Sequence, residues 1–132
     1  MKKILLHCVF PLLIGSVIYI SFRSESAYFW KWADNMHIYD YLISFRLFIN
    51  PNNFIYSNPF TQNLPDGLWV YSFSATLILV NKNKYYVFFP LFISFFLEFL
   101  QFKNILPGTF DVIDLLFYLG TSMIVFFLVP FK

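Results

Sequence analysis

Residues Ile4 to Phe22 form an unbroken run of nineteen without a formal charge. Wound as a helix, such a run is about 28 Å long, close to the thickness of a bilayer's hydrocarbon core. Lys2 and Lys3 precede it. No small residue stands before Cys8 to make a lipid-attachment signal, because His7 is there, and no clean Ala-x-Ala cleavage site follows. The segment reads as a retained first membrane span. The rest of the chain agrees with that solvent. Of 132 residues, 59% are apolar and only 12% are Asp, Glu, Lys or Arg, against about 25% charged in an ordinary soluble domain. So little charge cannot cover the surface of a small water-soluble globule.

Several function classes fall away on composition. The net charge is +2 and no basic run lies among exposed aromatics, which excludes nucleic acid as a partner. A single cysteine, Cys8, allows neither an internal disulfide nor a zinc ribbon. Asp34, His37 and Asp40 are spaced by three, but they point over a wide arc of a helix and read as a solvated face, so no metal site is expected there.

Three further apolar segments follow a long polar loop, 23–66, which is marked by turn signals at Asn50-Pro51-Asn52-Asn53 and Asn58-Pro59. Within that loop Met36, Tyr39, Leu42, Ile43 and Leu47 recur at helical spacing and predict one short amphipathic helix lying flat on the membrane. The expected architecture is an all-α membrane protein: a single domain, 1–132, folded as a four-span transmembrane helix bundle with spans near 4–22, 67–81, 85–102 and 111–131. Lys2, Lys3, Lys82, Lys84 and Lys132 then share one side with no acid among them, while all seven acids fall on the other. By the positive-inside rule both termini are cytoplasmic, and the bacterial inner membrane is the expected location. His7 is expected near the cytoplasmic end of the first span, touching water or headgroups.

The acids are the informative residues. Strictly uncharged runs in the later segments are Gly67–Asn81, Tyr85–Leu97 and Leu115–Phe131, of fifteen, thirteen and seventeen residues, short of the twenty or so a spanning helix wants. Glu98 and Asp114 are therefore drawn into the membrane or its boundary, with Asp66 where the second span begins. Helical spacing lines up Asp66, Trp69, Ser72 and Thr76; then Pro90, Ser94, Glu98 and Gln101; then Asp111, Asp114, Tyr118 and Ser122. Carboxylates facing lipid are costly, so the three stripes should turn inward and share an outward-opening polar pocket. Glu98, Asp111 and Asp114 are the candidate catalytic carboxylates; Asp66, Trp69, Gln101 and Tyr118 are the candidate substrate-binding residues. Their mutual repulsion needs relief from a proton on one carboxyl, a basic partner such as Lys103 or Arg46, or a bound cation. The alternative for Asp66 and Asp111 is helix capping.

The stretch Glu98-Phe-Leu-Gln101, followed by Leu106-Pro-Gly-Thr-Phe-Asp111-Val-Ile-Asp114-Leu-Leu-Phe-Tyr118-Leu-Gly120, resembles the VanZ-like family of small bacterial membrane proteins. That family shows a Glu-x-x-Gln pair ending one helix, a turn, and an Asp-x-x-Asp pair opening the next. Pro65-Asp66-Gly67-Leu68-Trp69 resembles its entry to the second span. Many members carry an arginine ahead of Thr-Phe-Asp and an asparagine four residues after the second Asp, where this chain has Gly108 and Tyr118. The resemblance covers about the last half of the chain. It implies a four-span envelope protein whose founding relative is associated with low-level resistance to the glycopeptide teicoplanin, and it supplies neither a reaction nor a cofactor. A membrane lipid or lipid-linked cell-wall precursor is the expected partner. The competing readings are a non-catalytic membrane assembly subunit and a small proton or cation carrier.

Overall fold

The computed structural model describes residues 2–25, 27–53 and 58–130. Among these residues every regular element is a helix. In chain order they are α1 (Lys2–Phe22), α2 (Tyr28–Asn35), α3 (Tyr39–Ile49), α4 (Pro59–Gln62), α5 (Leu64–Asn81), α6 (Lys84–Phe102) and α7 (Val112–Leu128). Two of them, α1 and α6, are long and apolar enough to cross a membrane. The apolar α7 is shorter, at 17 residues. Compared with the sequence expectation, the second segment starts earlier, at Leu64, and the last begins at Val112 and ends at Leu128. Phe131 and Lys132, assigned to the last span and to the cytoplasmic charge cluster, lie outside the described residues.

The central element is α5, which packs against α1, α6 and α7. It runs parallel to α7 and antiparallel to α1, since Asn63 meets Asp111 and Asp114 while Tyr71 and Ser72 meet His7 and Cys8. Gly67 lets α5 and α7 come close: a Cβ there would lie 3.2 Å from the Thr121 methyl and 3.3 Å from the Phe117 Cβ. The buried apolar cluster, Cys8, Ala75, Ile78, Val87, Val125 and Val129, sits toward the late ends of α5 and α7. Polar residues hold the opposite end. Between α5 and α6 the chain reverses at Lys82, whose φ is 52°, and Asn83, whose side chain accepts the Tyr85 N–H at 2.9 Å.

Helix α1 is not regular throughout. Its second turn, Leu5–Val9, is π-helical, with the Phe10 N–H bonded to the Leu5 carbonyl. The cause is Pro11, which has no N–H for the His7 carbonyl and whose ring crowds that turn. Ser72 of α5 donates to the Cys8 carbonyl in this widened stretch. Here the structure corrects the reading of His7. Its Nδ1 is hydrogen-bonded to the Tyr71 hydroxyl at 2.7 Å, well along α5, so the ring belongs to the helix interface.

The 23–66 segment is also corrected. Between Tyr28 and Ile49 it forms two helices, α2 and α3, in place of the one expected, and they break at His37, where φ is 59°. Met36 therefore lies outside α3, and Asp34, His37 and Asp40 share no helix. Arg46 of α3 is fully buried. It donates to the Arg23 carbonyl at 2.8 Å, and its guanidinium lies 5.6 Å from the centre of the Trp30 ring. Asn50 donates to the Ser21 carbonyl at 3.1 Å. Two polar side chains thus fasten α3 to the end of α1, leaving Tyr41 and Phe48 of α3 exposed.

Candidate functional site

The first turns of α5 and α7 and the last turn of α6 meet at the end of α1, where they enclose a cavity of about 800 Å³. Its lining includes all seven candidate catalytic and binding residues: Asp66 and Trp69 from α5, Glu98 and Gln101 from α6, Asp111 at the start of α7, and Asp114 and Tyr118 within it; Ser72, Thr76, Pro90, Ser94 and Ser122 of the same stripes do not line it. The carboxylates belong to three separate helices. Glu98 and Asp114 are nearly closed off, at 4% and 8% exposure.

Each carboxylate is held differently. Asp111 is the N-cap of α7; its Oδ1 accepts the Ile113 N–H at 2.8 Å, as the capping alternative anticipates. Its Oδ2 accepts from the Asn63 amide at 3.1 Å, and the same amide nitrogen donates to Asp114 Oδ1 at 2.7 Å. One neutral donor thereby sits between two acids. Glu98 receives the Tyr118 hydroxyl at 3.3 Å and the Asp111 N–H at 3.4 Å. Asp66 is not the cap of its helix. That position falls to Asn63, which makes no side-chain cap bond, while Asp66 faces the guanidinium of Arg23 at 3.5 Å.

The basic partner is therefore Arg23, and neither Lys103 nor Arg46 fills that place. Lys103 lies over the Phe99 and Phe102 rings, 5.8 and 5.6 Å from their centres. Arg46 is occupied in holding α3. Arg23 leaves the end of α1, stacks 5.2 Å from the centre of the Tyr19 ring and donates to the Gln62 carbonyl. Tyr19 and Trp69, with ring centres 5.3 Å apart, form an aromatic wall with Phe29, 5.4 Å from Tyr19. Gln101 lies against the loop before α7: a Cβ at Gly108 would come 2.8 Å from its amide, and Gly108 has φ of 139°. Only glycine suits both conditions.

Spacing missed Arg23, Asn63 and the Tyr19–Phe29 wall. Asn63 could have been found three residues before Asp66, on the same helical stripe. Arg23, a charge just past the nineteen-residue apolar run, offered no stripe to join. No group of three or more His, Cys, Asp or Glu side chains placed to hold a metal ion occurs among the described residues. The cavity can hold a polar group between one cation and several acceptors, with aromatic rings beside it. No known family, curated protein or solved structure matches the chain.

Proposed function

We propose that this is a multi-pass bacterial inner-membrane protein of the VanZ-like kind, acting in the cell envelope through a cavity that opens outward and binds a lipid headgroup or lipid-linked wall component. The observation that carries the reading is the gathering of Glu98, Gln101, Asp111 and Asp114, the residues of the resemblance, around one cavity with Asp66, Trp69 and Tyr118. In this reading α1, α5, α6 and α7 are the four spans, and α2 and α3 lie in the outer interface. Large exposed side chains such as Leu13, Phe92, Phe96, Leu116 and Phe127 support a lipid surround. Where many VanZ-like chains have an arginine before Thr-Phe-Asp, this one has Gly108; here Arg23 provides a guanidinium to the cavity. Glu98 is positioned to exchange a proton with the bound group. Asp111 and Asp114 orient its hydroxyl or amine, and Gln101 donates to its developing charge.

The test is Glu98→Gln, expressed beside the wild type in a teicoplanin-susceptible Gram-positive host. The expected outcome is equal membrane levels, raised tolerance to teicoplanin with the wild type, and none with the variant. A role as inter-helix glue predicts a lower membrane level instead, and a carrier predicts altered ion coupling. If Glu98, Asp111 and Asp114 all become amides without consequence, the reading fails.

A further inference from the structure

We infer that the cavity's ligand is a zwitterionic aminophosphate headgroup, with its phosphate at Arg23 and its ammonium at Asp114 and Glu98. The inference rests on the functional reading above and names the ligand that reading leaves broad. Two groups in the cavity are incompletely used by the protein. Asp114 is 8% exposed and lines the cavity, and among the described residues only its Oδ1 takes a hydrogen bond, from Asn63, which leaves Oδ2 without a partner. Among the described residues, Arg23 engages Gln62 and Asp66 through one terminal nitrogen only, which leaves the rest of its planar donor fork for a ligand.

A ligand that completes both must offer an acceptor at one end and a donor at the other. Phosphate matches the guanidinium fork in charge and geometry. For the donor, charge decides. Asp66, Glu98, Asp111 and Asp114 face a single guanidinium in the lining, so a positively charged donor is favoured over a neutral hydroxyl. An ammonium therefore suits Asp114 Oδ2 and the neighbouring Glu98 better than a glycerol hydroxyl does. The aromatic wall of Tyr19, Phe29 and Trp69 lies beside Arg23, where the apolar part of a lipid can rest. The source favoured is therefore a bilayer phospholipid such as phosphatidylethanolamine.

The full chain, delipidated in detergent, is offered phosphatidylethanolamine, phosphatidylglycerol or phosphatidylcholine, and retained lipid is measured by native mass spectrometry. Phosphatidylethanolamine is expected to be held about tenfold better than phosphatidylglycerol, the size of one charge-assisted contact. Phosphatidylcholine, whose ammonium has no N–H, falls between. Asp114→Asn abolishes the preference for the amine, whereas Arg23→Gln weakens both phosphate lipids alike. Arg23→Gln carries the test if Asp114→Asn does not fold. Failure of free O-phosphoethanolamine to displace the lipid supports the bilayer source; displacement supports a soluble ester of the same chemistry. Equal retention of the glycerol and ethanolamine lipids by the wild type would overturn the inference. A teicoplanin phenotype lost in Glu98→Gln would still stand in that case, so the two readings fail separately.

Discussion

At the residue scale, Asn63 shows how the acids tolerate one another. Its amide nitrogen bridges Asp111 and Asp114, and a buried acceptor stripped of its donor costs about 1–3 kcal/mol. Asn63→Ala should lower stability in detergent by that amount, read from thermal unfolding. Asn63→Asp should be worse at neutral pH, since a third carboxylate replaces the donor. Proton uptake restores an O–H, so the stability of this variant should recover as the pH falls; a flat pH profile would show that Asn63 does not separate the acids. The acids were legible because charge is rare here and costly in an apolar stretch. Their partners were not. Asn63 contacts residues 48 and 51 positions away, and Arg23 contacts one 43 positions away, distances over which helical periodicity carries no information.

At the scale of elements, the long apolar helices could be read from hydropathy, and the turns between them from Lys82-Asn83-Lys84 and Pro107-Gly108, while the start of α5 at Leu64 fell earlier than the expected 67. The break between α2 and α3 could not be read, because His37 takes a positive φ there and no glycine announces it. Between α5 and α7 the spacing is set by Gly67. Gly67→Ile would drive a branched side chain into Thr121 and Phe117, at a cost of about 1–3 kcal/mol for overpacking. Since those helices carry Asp66 and Asp114, the same change should abolish lipid selectivity even where the protein still purifies as a single species. Unaltered stability and selectivity would show that the interface yields easily.

For the whole molecule, the proposed topology puts the Pro107-Gly108 loop outside and the Lys82-Asn83-Lys84 turn inside. In a Cys8→Ala background, Thr109→Cys should react in intact cells with a membrane-impermeant maleimide, while Asn83→Cys should react only after permeabilisation. The reverse pattern would invert the orientation, and labelling of both in intact cells would contradict the four-span topology. The π turn near Pro11 bears on how such a molecule changes over generations. A turn of this kind holds one residue more than a regular helix needs, and each residue turns a helix by about 100°. The wide turn takes up that residue locally, so a residue gained or lost within Leu5–Val9 alters the width of this turn while Lys2 and Lys3 before it, and the segment beyond Phe10 that leads to the carboxylates, keep the faces they already present.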